Sequence, residues 1–177
     1  MRIRDWYFQG WERRQDEAGK SVLVYTGETY AFPGGKKSAQ APALLLAAAL
    51  IAAYLVVALS PSEGGMWHYA AIPQLLEVIP LIYLAMGAVR LARAKEPMPY
   101  RDWYASWRRM RFAALWSAVF TACMAAVELA YILLAGPSLP PELLYLLGEA
   151  ACLSLSLALY LFITKRPCTP SVQTEKE

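Results

Sequence analysis

The stretch that decides the fold is "APALLLAAALIAAYLVVAL", Ala41–Leu59. It contains no charged residue. Wound as a helix at 1.5 Å per residue, a segment of about 20 residues crosses the ~30 Å hydrocarbon core of a bilayer. A helix of a soluble bundle keeps one polar face toward water, and no face of this stretch is polar. A soluble four-helix bundle is therefore excluded.

Three more runs of the same kind follow, at about His68–Leu91, Phe112–Ala135 and Pro141–Ile163, and they hold most of the 58% hydrophobic content of the 177-residue chain. The first run starts some forty residues in, behind a charged segment. That is too late and too long for a cleaved signal peptide. The expected fold class is an all-α integral membrane protein with four transmembrane helices.

Charge sets the expected orientation. Of the 17 Lys and Arg, seven precede the first run, seven lie at the end of the second (Arg90) or between it and the third, and three follow the fourth. The connections "SPSEGGMWH" and "GPSLPPE" contain none. By the positive-inside rule both termini and the middle loop are cytoplasmic, in a multi-pass protein of the cell membrane. The formal net charge of +3 hides this asymmetry, because only nine acids accompany the 17 basic residues on that side. The resulting inner face of +8 suits a bilayer with an anionic inner leaflet. No recognition motif or basic-aromatic groove points to nucleic acid, so none is expected as a partner.

Several chemistries are disfavoured. Cys123 and Cys152 fall inside the third and fourth runs and Cys168 in the tail, so no cysteine sits in an outer loop where a stable disulfide or an exposed redox pair belongs. A single histidine, His68, argues against bis-histidine haem and His-rich metal sites. There is no phosphate loop, HExxH or G-x-S-x-G. The sequence points to no cofactor.

One word occurs twice: "RDWYFQGWERR" at Arg4–Arg14 and "RDWYASWRRMR" at Arg101–Arg111. Each copy precedes a pair of apolar runs. Weaker echoes keep the same order: "AYLVVALSPS" with "AYILLAGPS", Glu77 with Glu149, and "ARAKEP" with "TKRP". The expected architecture is two tandem helical hairpins related as a parallel pseudo-repeat. Trp and Tyr favour the headgroup region and Arg pairs with lipid phosphates. Arg4, Trp6, Tyr7 and Trp11 in the first copy, and Arg101, Trp103, Tyr104, Trp107, Arg108 and Arg109 in the second, are thus expected to lie at the membrane interface as amphipathic segments.

The chain then divides into five parts. Residues 1–40 form a cytoplasmic interfacial segment, with a short β-hairpin over 21–32 where "SVLVY" and "ETYAF" flank Thr26-Gly27. Residues 41–91 are the first transmembrane hairpin, 92–111 a basic interfacial loop and 112–164 the second hairpin. Residues 165–177 are a polar tail expected to be disordered.

Three acids lie deep inside the runs: Glu77, Glu128 and Glu149. Counted from the outer end of its own run, each lies eight or nine residues deep, roughly 12–14 Å at helical rise. All three are expected in one layer. A charged acid at a helix centre costs roughly 2.5–3.5 kcal/mol on insertion scales. Such a group must carry a proton, share one, face a wet cavity or bind a cation. Gln74, Tyr54, Tyr131 and Tyr145 are the polar neighbours expected beside them, and Pro73 and Pro80 bracket Gln74 and Glu77. No Lys or Arg lies at that depth.

The layer is the candidate substrate or ion site, and Glu77, Glu128 and Glu149 are the candidate metal ligands. Without a recognisable nucleophile or metal triad an enzyme is the least favoured class. The leading expectation is a small carrier or channel for a cation, proton or cationic substrate. The alternative is an accessory or assembly subunit of a larger membrane complex, with the glutamates joining helices within the chain or across a homo-oligomer.

Overall fold

In the computed structural model the described residues are 11–15, 21–60, 62, 63, 65, 68–135, 139–166 and 168–171. Four helices are long and apolar enough to cross a membrane. They are α1 (Lys36–Ala58), α2 (His68–Arg93), α3 (Tyr100–Ala135) and α4 (Leu139–Lys165). Helix α3 opens as a single α-turn at Tyr100–Trp103, widens into a π-helical turn at Tyr104–Arg108, and runs on as α-helix from Arg109. Large apolar side chains such as Leu45, Leu75, Leu134 and Leu147 are largely exposed on the outward faces. That apolar exterior fits a multi-pass membrane protein.

The helices form a closed ring. Helix α2 packs broadly on α3, α3 on α4, and α4 on α1, while α1 and α2 share the thinnest interface. Each inward seam follows from spacing. On α4, Glu142, Tyr145, Glu149, Cys152, Ser156, Leu159 and Ile163 are buried at alternating intervals of three and four, the signature of left-handed bundle packing. Helix α1 buries a stripe of Ala39, Ala43, Ala47, Leu50, Tyr54 and Val57. Two glycines mark the closest approaches. A Cβ on Gly87 would stand 2.7 Å from Met110 Cγ and 3.2 Å from the Ser106 carbonyl, and one on Gly148 would stand 2.5 Å from Val57 Cγ2. Small residues let α2 meet α3 and α4 meet α1 at backbone range.

Among the described residues there are five short strands: β1 (Trp11–Gln15), β2 (Ser21–Tyr25), β3 (Thr29–Ala31), β4 (Met98–Pro99) and β5 (Thr169–Ser171). Of these, β3, β4 and β5 lie at the Arg-rich end, here called the basic end. The hairpin expected over 21–32 does not form. Strand β2 pairs antiparallel with β1, from Trp11 opposite Tyr25 to Gln15 opposite Ser21. Strand β3 instead lies between β4 and β5 in a three-stranded antiparallel sheet. The physical reason is burial. Folded back on β2, β3 would gain one partner; in its actual place it gains two, and the adjacent Phe32 enters the core, only 5% exposed. The tail expected to be disordered from residue 165 supplies β5, and residues 172–177 lie outside the described residues.

The same end is closed by reciprocal capping. The Glu96 carboxylate accepts from the backbone N–H of Phe32 (3.2 Å) and of Lys36 (2.9 Å), where α1 begins. Lys36 Nζ donates to the carbonyls of Ala92 and Ala94, where α2 ends. An acid thus meets the free N–H groups of one helix and a base the free carbonyls of another, as both helix dipoles favour. Gly34 and Gly35, both at φ +86°, make the turn that brings the chain into α1.

The second RDWY word organises this cap. Trp103 stacks on Tyr30 with ring centroids 4.5 Å apart, and Trp107 meets Phe32 edge-on at 4.8 Å and Phe162 at 6.4 Å. Trp107 is 3% exposed. It is therefore a core residue and not a lipid-interface one. The helical spacing of Trp103, Trp107 and Met110 holds, but the segment around Phe32 packs over that face. The π-turn contributes by bringing Ala105, Ser106 and Trp107 inward together. Tyr104 stays exposed, and Arg101, Arg108 and Arg109 are half-buried. In the first copy Arg4, Trp6 and Tyr7 lie outside the described residues, and Trp11 starts a strand.

Candidate functional site: a ladder of buried carboxyls

Four carboxyl groups are buried inside the helix ring: Glu77, Glu128, Glu142 and Glu149, none more than 1% exposed. Helix α2 supplies Glu77, α3 supplies Glu128, and α4 supplies Glu142 and Glu149. Helix α1 contributes Tyr54.

Glu77 is fixed first. Its Oε1 accepts from Ser117 Oγ (2.7 Å) and Thr121 Oγ1 (3.0 Å), both on the buried seam of α3. Thr121 also reaches the Ser117 carbonyl at 2.8 Å, so its single hydroxyl hydrogen is shared between two acceptors. The other oxygen, Glu77 Oε2, is buried without a hydrogen-bond partner among the described residues.

These contacts place Glu77 level with Ser117 and Thr121, and that overturns the single layer. Glu128 lies seven residues beyond Thr121 on α3, roughly 10 Å further along the axis. Depths counted from the end of each apolar run assumed that the runs end level, and they do not. From Glu77, α2 continues nine residues to His68; from Thr121, α3 continues fourteen to Ala135. Helix α3 therefore reaches roughly 8 Å further from the basic end.

The acids form a ladder instead. At its far end Glu142 accepts from Ser62 Oγ (2.5 Å) and from the backbone N–H of Glu63 (2.9 Å), which fold the α1–α2 connection over the first turn of α4. Glu128 lies beside Glu142. Tyr131, on the next turn of α3, donates to Glu63 Oε2 at 3.2 Å. One step inward, Glu149 is in electrostatic contact with Glu128 on one side and Glu77 on the other, with the Tyr145 hydroxyl beside it. Glu142 and Glu149 are themselves seven residues apart on α4, again roughly 10 Å. The order from the far end is thus Glu142 with Glu128, then Glu149, then Glu77 with Ser117 and Thr121.

The expected neighbours divide. Tyr145 is almost fully buried within the ladder, and Tyr131 stands half-buried at its far end. Tyr54 is close to Glu77 and Glu149, but its hydroxyl donates to the Gln74 carbonyl at 2.7 Å. Gln74 thus enters through its backbone. The candidate metal site is not assembled: among the described residues no three His, Cys, Asp or Glu side chains converge as metal ligands. Spacing along the axis, not identity, separates Glu77, Glu128 and Glu149.

Glu142 was not among the expected site residues, since it stands at the outer end of its apolar run. The signal that finds it is the seam itself, for Glu142, Tyr145 and Glu149 repeat at three and four. Ser62, Ser117 and Thr121 join the site by the same contacts.

Among the described residues, both oxygens of Glu128 and Glu149, and one of Glu77, are buried without a partner in good hydrogen-bond geometry, although Glu142 and the Tyr145 hydroxyl stand beside Glu128 and Glu149. No Lys or Arg lies among them in the sequence. Toward the basic end the seams turn apolar, through Leu84, Leu91, Met110, Leu159 and Ile163, and close under Trp107. The ladder therefore has polar groups at its far end and an apolar plug at the other. Comparison with known protein families, curated proteins and solved structures finds no match to this chain.

Proposed function

We propose that the protein is a small carrier of the cell membrane in which the carboxyl ladder takes up protons from the outer side and relays them to Glu77. The observation that carries this reading is the set of five orphaned, buried carboxyl oxygens on Glu77, Glu128 and Glu149. A carboxylate held in that state needs a proton, a water or a cation to offset its lost hydration. Protons suit the geometry better than a metal, because the groups are strung out in steps and do not converge. Hydroxyls of Ser62, Tyr131, Tyr145, Thr121 and Ser117 stand beside the rungs, where each can accept and donate.

The orientation belongs to the same proposal. With the basic residues cytoplasmic, as the positive-inside rule places them, the Glu142 end, covered by Ser62 and Glu63, faces outward and the Trp107 plug faces the cytoplasm. A buried proton-binding site with polar groups toward one side and an apolar plug toward the other suits an alternating-access carrier.

Flux in proteoliposomes tests the reading. With a pH-sensitive dye inside and an imposed proton gradient, the wild-type protein is expected to collapse the gradient, and Glu77→Gln and Glu149→Gln to slow that collapse at least about tenfold, or 1.4 kcal/mol in the barrier. Wild-type vesicles that hold the gradient as empty vesicles do would refute it.

A second reading, an accessory subunit of a membrane complex, is favoured by one feature. The β1–β2 pair is a two-stranded sheet, separate from the three-stranded one. Two strands alone are marginally stable in water and leave both edges open to a partner chain. Co-purification of a stoichiometric partner, lost on deleting residues 1–26, would favour this second reading over the first.

A further inference from the structure

The outer surface of the bundle carries a site distinct from the ladder. A groove of about 630 Å³ runs between α2 and α3 on the flank of the ring. Pro80 and Ala113, both buried, are its floor, and Phe112, Trp116 and Phe120 line it along α3. Arg108 and Arg109 stand where the groove reaches the basic end. Each guanidinium is held over an aromatic ring that also lines the groove: Arg108 is 4.8 Å from the Tyr104 centroid, and Arg109 is 5.5 Å from that of Tyr83. Among the described residues neither is paired with a carboxylate.

The π-turn explains how two adjacent arginines serve one groove. It ends at Arg108 and shifts the phase of α3 there, so that Tyr104, Arg108, Arg109 and Phe112 all line the same cavity. Single-turn π-bulges occur frequently at functional sites. The result is an amphiphilic slot with two cations at one end and an aromatic and aliphatic channel behind them. Guanidinium groups match the oxygens of a phosphate in a bidentate fork, and the apolar length suits an acyl chain. The slot opens on the apolar exterior of the ring, which the bilayer covers, with its cationic end at the Arg-rich side.

We propose that this groove is a binding site for an anionic phospholipid of the inner leaflet, with the headgroup phosphate on Arg108 and Arg109 and one acyl chain along Phe112, Trp116 and Phe120. Occupation would brace α2 against α3 where they line the groove.

The test uses the full-length protein in phosphatidylcholine vesicles containing a minor fraction of chain-brominated lipid, which quenches nearby tryptophan. Subtracting the signal of Trp116→Phe isolates Trp116 from the other Trp residues. Brominated phosphatidylglycerol is expected to quench Trp116 severalfold more than the same fraction of brominated phosphatidylcholine. Arg108→Gln with Arg109→Gln should equalise the two lipids. Ala113→Phe, which fills the floor and keeps both arginines, should also abolish the preference, and it carries the test if the double variant does not fold. Equal quenching by both lipids in the wild type overturns the proposal, as does a preference that survives either change. Stronger quenching by a brominated free fatty acid than by phosphatidylglycerol overturns the phospholipid assignment.

Discussion

Individual side chains in this protein are decided by what surrounds them more than by what they are. Cys168 shows this outside the spans. It is half-buried beside the cap, and burial, with a smaller contribution from Glu96 and a partial offset by the Trp103 indole N–H, pushes its thiol up to about 12. Only the thiolate reacts with an alkylating agent, so a raised value means less reactive species at any pH below it. Against an ordinary thiol this is roughly three orders of magnitude less thiolate near neutrality. Iodoacetamide labelling of Cys168 in the folded protein is therefore expected to be far slower than after denaturation, and equal rates in the two states would contradict the burial. Inside the spans, Glu77, Glu128 and Glu149 were legible as the acids deep within apolar runs. Their depths were not, because depth depends on where neighbouring helices end. The contact of Glu77 with Ser117 and Thr121, across 40 and 44 positions of sequence, fixes what a count along one helix cannot. Glu142 was left out of the site because it stands at the outer end of its run, and only packing shows that the first turn of α4 is covered by Ser62 and Glu63.

At the scale of elements, the four helices were legible from length and hydropathy, since about 20 apolar residues admit few other structures. What lay beyond reach is non-local. Strand β3 pairs with residues near 98 and 170, and nothing within "ETYAF" distinguishes those partners from β2. The two RDWY words illustrate the same limit, for the second begins a helix that carries the cap while Trp11, in the first, enters a strand. Helix pairs also differ. The α3–α4 interface is broad and the α1–α2 interface thin, so α1 is held mainly by α4. Gly148 is the point of closest contact between them, with Val57 Cγ2 only 2.5 Å from where a Cβ would stand. Gly148→Val is expected to cost about 1–3 kcal/mol through overpacking. Graded denaturation in mixed micelles should show it, and pairing with Val57→Ala should recover part of the loss. A variant as stable as the wild type would mean that α1 and α4 are not in contact at this point.

Over the whole molecule, polarity is divided between two ends. The basic end is tied shut by the three-stranded sheet, the Glu96 and Lys36 caps and the Trp107 cluster, and Arg166 donates to the Ser38 carbonyl across α4 and α1 at 2.9 Å. The far end gathers Glu63, Tyr131, Ser62, Glu142 and Glu128. Between them Glu149 links the far rung to Glu77, and the proposed carrier function depends on these carboxyls exchanging protons with the outside. Infrared difference spectroscopy of the reconstituted protein, stepped between two bulk pH values, observes that exchange directly. The prediction is a set of carboxylic-acid carbonyl bands that respond to the step, one of them lost in Glu149→Gln and another in Glu77→Gln. A difference spectrum without carboxyl bands, or with bands unchanged by both substitutions, would contradict it.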